Sequence, residues 1–294
     1  DLNIGGGTIS VNGGIVTGGS YAIYNNDSGT VNVTGGEVST NGTVILNKGT
    51  VRIIGGTVEN TSTFQSWTIY NYGSGRVSID GGEVRGSTPI FMPEYSTSTV
   101  NVTGGKVIAS FDYAIESQGK GSISVTGGEL IGRSCAIRCS EYSTANVSVT
   151  GGELTSTSYW TIFNYGSGSL SVADARVEGK SSMYGAIYQR NAGKLTIGGT
   201  AVVTSPNQSS TAGTIYMQSG SALEITGGMV ENTNTGTDGF GIFVKDNNGR
   251  VSIKSSSPVI IKAPGKAMTI APDLPDTVVK TAATDINGID GVEA

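Results

Sequence analysis

One short pattern, V-x-V-T-G-G-x-V, returns about every 24 residues along this chain and restricts it to a stacked architecture. It reads VNVTGGEV from Val31, VRIIGGTV from Val51, VSIDGGEV from Val77, VNVTGGKV from Val100, ISVTGGEL from Ile123, VSVTGGEL from Val147 and LEITGGMV from Leu223. Weaker copies begin at Ile9, Leu170, Leu195 and Val251. A repeat of this length cannot bury its own apolar face, so stability comes from stacking each unit on its neighbours.

Within one repeat the apolar residues alternate. Val31 and Val33 fall on one face and Asn32 on the other, which is the period of a strand. The Gly-Gly pair permits a sharp bend, and a strand resumes at Glu37-Val38. A second fixed element, [A/T]-I-[Y/F]-N, follows a loop of variable length and begins at Ala22, Thr68 and Thr161, with variants at Ala186 and Thr214. Three short strands per repeat, pairing in parallel from coil to coil, predict a single-stranded right-handed parallel β-helix solenoid of about ten to eleven coils with three parallel sheets. No 3.6-residue apolar period competes with this, and 46 glycines argue against helices.

Aligning the repeats exposes columns. Isoleucine recurs at 23, 45, 69, 90, 115, 137, 162, 187, 215 and 242, which predicts an isoleucine stack down the core. Two residues later the column reads Asn25, Asn47, Asn71, Met92, Ser117, Cys139, Asn164, Gln189, Met217 and Val244. Inward amides need partners, and stacked side-chain amides can satisfy one another along the axis. Cys135 and Cys139 lie too far apart along a strand to bridge and share the parity of Ile137, so they read as small buried hydrophobes.

Composition excludes several functions. The chain has no histidine, which removes His-dependent nucleophilic catalysis and the common zinc sites. Its net charge of −5 and lack of a basic run speak against nucleic acid. No apolar stretch reaches the roughly 20 residues of a membrane-spanning helix. No cofactor motif is present, and the aspartates never gather at metal-ligand spacing. Only 14% of residues are charged, and Gly, Ser, Thr and Asn dominate, the composition of an extracellular surface. The chain opens in mid-pattern at Asp1 and reads as a mature or excised piece of something longer.

Two sets of residues are candidate sites. The residue after Gly-Gly is acidic at Glu129 and Glu153 in adjacent coils, and stacking would set the two about 4.8 Å apart at the backbone. That is close to the carboxylate pair of a retaining glycosidase, although any acidic column in a β-helix produces the same spacing. The other set is the outward column directly after the core isoleucine: Tyr24, Tyr70, Phe91, Phe163, Tyr188, Tyr216 and Phe243, broken by Leu46, Glu116 and Arg138. Exposed rings in a row suit stacking on sugars or anchoring a protein partner. The alternative is that loop insertions after Val58, Val202 and Val230 fold over the stripe and bury it.

Residues 1–275 are expected to form the solenoid and 276–294 a cap strand or linker, because the Gly-Gly motif decays to Ser255-Ser256 and prolines cluster from Pro258 to Pro275. The [VI]-x-[VI]-T-G-G-[ET]-[VL] coils and the GKAMTIAPDL closing segment resemble the right-handed β-helix regions of large secreted or wall-anchored, adhesin-like proteins of Gram-positive bacteria. Their architecture is similar to the pectin-lyase-like superfamily. The resemblance implies a role at the cell surface, with polysaccharides, mucin glycans or host surface proteins as partners. The catalytic acidic clusters and histidine motif of the pectin-degrading members are missing here. The expectation is therefore a non-catalytic adhesin using the aromatic stripe, with a polysaccharide lyase or hydrolase using Glu129 and Glu153, or a structural stalk, as alternatives.

Overall fold

The computed structural model describes residues 2–245, 249–254 and 259–264, with the backbone of the strands Lys266–Ile270 and Val278–Thr281. Among the described residues the chain is all β, with no helix, and winds as a parallel β-solenoid of about ten turns. Each coil contributes three strands, as Tyr21–Asn25, Thr30–Val33 and Glu37–Thr40 do in an early coil. Every pairing is parallel and joins equivalent strands of neighbouring coils. The boundary placed at 275 and the decayed Ser255-Ser256 copy lie outside the described residues. The strand Val278–Thr281 adds in parallel to Arg250–Lys254.

The three stacks of strands form two hydrogen-bonded sheets rather than three. Strands carrying the isoleucine column make one 12-stranded sheet, and the strands before and after Gly-Gly belong to one sheet of 21 strands. They merge in two adjacent coils, where Ser122–Gly132 and Asn146–Ser156 each run unbroken through the glycine pair. Register shifts at Val125/Thr126 and Thr126/Glu129 show that the bend there is a bulge within a continuous ladder.

The glycines are demanded twice over. At the second glycine of each pair the backbone is left-handed, as at Gly36 (φ 76°), Gly105 (φ 69°) and Gly152 (φ 80°). At the first glycine the preceding coil lies so close that a Cβ on Gly104 would sit 2.5 Å from the carbonyl oxygen of Asp80. Gly13, with nothing beneath it, would meet no atom within 4 Å.

Inside, the isoleucines stack residue on residue from Ile23 to Ile242, all fully buried. The amides beside them form ladders. Asn25 Nδ2 donates to Asn47 Oδ1 at 2.8 Å and Asn47 Nδ2 to Asn71 Oδ1 at 2.8 Å. A second ladder joins Asn164 Nδ2 to Gln189 Oε1 at 3.0 Å. Each asparagine also ties down its own turn, through Gly29 O, Gly49 O, Gly75 O and Gly168 O. A one-way ladder leaves its first carbonyl oxygen over, and the ladder atoms without a partner among the described residues are Asn25 Oδ1 above Ile4 and Asn164 Oδ1 above Cys139. Between the ladders the column passes to Met92, Ser117 and Cys139. Hydroxyls replace amides there, Ser98 Oγ donating to Asn71 O and Ser143 Oγ to Gly119 O.

Cys135 and Cys139 are free thiols within the core. Burial raises both thiol pKa values, Cys139 to about 12.

Candidate functional site

The column after the core isoleucine faces outward on the first sheet, as its register requires, but its rings turn toward one another. Phe163 stacks on Tyr188 at 4.6 Å between centroids, Tyr188 on Tyr216 at 5.2 Å, and Tyr216 on Phe243 at 5.6 Å. Coils about 4.8 Å apart set this spacing, so ring faces are spent on neighbouring coils and mainly edges remain for solvent. Aromatic residues at the starts of the isoleucine strands cover the column further. Trp160 is buried against Tyr184, Tyr188 and Tyr216, and Trp67 stacks on Phe91 at 4.8 Å. Phe91 and Tyr216 are only 6% and 8% exposed, while Tyr24, Tyr70, Phe163, Tyr188 and Phe243 are half-buried. The Tyr188 hydroxyl donates to Gln218 Oε1 at 2.9 Å, and burial, with Tyr216 and Tyr159 adding to it, pushes its pKa up.

The stripe is also divided. Between Phe91 and Phe163 the column carries Glu116 and Arg138, paired across adjacent coils with Arg138 Nη1 2.5 Å from Glu116 Oε1. Glu116 is buried, and Gln118 Nε2 also donates to it at 3.2 Å. Burial raises its carboxyl pKa, against the pull of Arg138. The Arg138 guanidinium lies 5.1 Å from the Tyr113 ring centroid.

Where the rings lapse, a groove of about 590 Å³ opens. One coil supplies Tyr113 and Gln118, the next Ser134, Arg138, Ser140, Glu141 and Tyr142, and the third Tyr159, Phe163 and Tyr165. Stacking explains the depth. The middle coil carries Ser134 and Ser140 where the next coil carries Tyr159 and Tyr165, and Cys135 where the preceding coil carries Tyr113, so the flanking rings become walls. Tyr142 stands 62% exposed at the rim. One group in the groove is under-used: Arg138 donates from Nη1 alone, leaving Nε and Nη2 free among the described residues. Ser140 is 5% exposed, and its hydroxyl oxygen is buried without a hydrogen-bond partner among the described residues.

Glu129 and Glu153 stack in register as expected. Each is matched by a cation from the coil beyond, Lys106 Nζ lying 2.6 Å from Glu129 Oε2 and Arg176 Nε 3.5 Å from Glu153 Oε1. The column is thus a Lys-Glu-Glu-Arg ladder on an open edge, and neither carboxylate lines the groove. Among the described residues no three His, Cys, Asp or Glu side chains gather as a metal site, and no helix is long and apolar enough to cross a membrane.

A scan against protein-family models, a search of curated proteins and a search of solved structures each found no significant match to this chain.

Of the seven residues of the aromatic column, Phe163 alone lines the groove, joined by the neighbouring loop aromatics Tyr142, Tyr159 and Tyr165. Arg138 and Glu116 had stood only as gaps in the aromatic column. The available signal was that opposite charges occupy one outward column in consecutive coils, just where the inward column also leaves its amide consensus for Ser117 and Cys139. Tyr113, Gln118 and Ser140 carried no such mark.

Proposed function

We propose that this chain is a non-catalytic, adhesin-like β-solenoid that works outside the cell and binds glycans on the outer face of its first sheet. The groove at the break in the aromatic column carries this reading, because it joins ring surfaces to the free guanidinium nitrogens of Arg138 in one concave site. Apolar ring faces match the C–H faces of a sugar, and Arg138 and Gln118 match its hydroxyls. The hydrogen-bonded parallel strands beneath hold these groups in place before the ligand arrives, which lowers the entropic cost of binding. The non-catalytic part of the reading is supported by the ion-paired state of Glu129 and Glu153.

The test is to present the purified chain to immobilised plant polysaccharides, mucin glycans and host matrix proteins while assaying released reducing ends and unsaturated sugars. Selective binding without product is expected, weakened about tenfold, or 1.4 kcal/mol, by Phe163→Ala and by Arg138→Ala. Glu129→Gln and Glu153→Gln leave it unchanged. Product formation would replace this reading with a polysaccharide-active enzyme. Binding to matrix proteins alone would make the partner a protein, and no binding to any panel member would leave a structural stalk.

A further inference from the structure

Resting on the glycan-binding reading, we infer that the groove selects neutral sugars and discriminates against acidic ones. The charges around it point this way. Arg138 is the cation among its lining residues, and its charge is already matched by Glu116 at 2.5 Å. The other charged lining residue is Glu141, which is exposed and forms no salt bridge among the described residues. Asp112 adds a further carboxylate beside the wall, its main chain accepting the Ser134 amide at 2.8 Å. Its carboxyl pKa is raised, chiefly by burial.

The nearby cations are turned to other tasks. Arg190 belongs to the coil beyond Tyr165, packs 4.2 Å from that ring and donates from Nε to Ser219 Oγ. Lys120 lies over Tyr95, toward the preceding coil, and Arg133 over Phe111. A uronic or sialic acid carboxylate entering the groove would meet Glu141 and an arginine that is already neutralised. A neutral pyranose needs none of that charge. Its hydroxyls can accept from the free Arg138 Nε and Nη2, while its C–H face lies on Phe163 or Tyr159. A carboxylate could also reach Arg138 Nε and Nη2, but there it would meet a guanidinium whose charge Glu116 already balances, with the unpaired carboxylate of Glu141 on the same groove.

The experiment measures affinity by calorimetry for two oligosaccharides of equal length and linkage, one of neutral hexoses and one of the matching uronic acids, at low salt. The neutral ligand is expected to bind about tenfold more tightly, the size of one unscreened like-charge contact at the protein surface. Glu141→Lys is expected to raise affinity for the uronic acid ligand about tenfold and to shift that for the neutral one far less. Equal or tighter binding of the uronic acid ligand by the native chain would overturn the inference and leave the glycan-binding reading standing. The same holds if Glu141→Lys leaves the preference unmoved. Binding of neither oligosaccharide, nor of any other glycan, would remove both.

Discussion

Replacing Gly104 by alanine asks whether close approach of one coil to the next, as distinct from backbone conformation, requires the first glycine of each pair. Its φ is not in the left-handed region, so no intrinsic strain attends the change. The new Cβ would lie 2.5 Å from Asp80 O, and ordinary contact near 3.4 Å requires a retreat of about 0.9 Å. That carbonyl belongs to a backbone fixed by Asp80 N to Ile53 O at 2.8 Å. Gly104 itself is held by Thr103 N to Ile79 O at 2.9 Å and Gly104 N to Ile79 O at 3.2 Å. Opening the coils enough to relieve the clash stretches one or two of these bonds beyond use, at about 1 kcal/mol each, and adds overpacking strain of about 1–3 kcal/mol. The expected loss is about 2–4 kcal/mol. Gly13→Ala is the control at the same motif position, where a Cβ meets nothing, and the stiffer unfolded chain should give a gain of about 0.4–1 kcal/mol. Urea unfolding followed by circular dichroism reads the difference. Amide exchange at Thr103 and Lys106 checks that the loss is local, since a repeat array need not unfold in one step. Equal effects of Gly104→Ala and Gly13→Ala would refute the stacking argument.

Other consequences are as direct. Asn47→Leu removes the donor to Asn71 Oδ1 and the acceptor for Asn25 Nδ2, so a loss of about 2–4 kcal/mol is expected in urea unfolding, against a smaller loss for Asn47→Gln. Both thiols should resist a water-soluble disulfide reagent at pH 8 in the native chain and react at once in denaturant, because burial holds them protonated; rapid native labelling would contradict the packing of Cys135 and Cys139. The carboxyl pKa of Glu116 is raised in the folded state, so the folded chain binds that proton more tightly than the unfolded one. Its contribution is therefore fully present below the ordinary glutamate value of 4.5 and is lost as pH rises through the folded pKa. Subtracting the pH profile of Glu116→Gln from that of the native chain should isolate this fall, and a difference that rises with pH would show the sign to be wrong.

Solenoid architecture is legible in this sequence because every coil repeats the same local instructions. Ile45 must lie over Ile23 once the valines on either side of Gly-Gly have set the register, and a slip by one residue would turn the isoleucines into solvent. The amide ladders follow from the same register, since Asn25, Asn47 and Asn71 share the inward parity of the isoleucines. The union of two strand stacks into one sheet was less visible, because V-T-G-G-E reads alike whether the ladder stops at the glycines or bulges through them, and among the described residues only the coils at Gly127-Gly128 and Gly151-Gly152 do the latter.

The site lies at the other extreme. Periodicity places Phe163, Tyr188 and Tyr216 on the outer face, but whether a ring there is offered to a ligand depends on the ring one coil above and on which loop crosses it. Sequence thus determined the winding, the inward columns and the outward direction of the aromatic stripe, all of which arise from nearest-neighbour repetition. The tertiary structure alone decided that the stripe stacks upon itself and that the groove opens at Arg138, because a cavity is made by the side chains that several coils and their turns bring to the same place, or fail to bring.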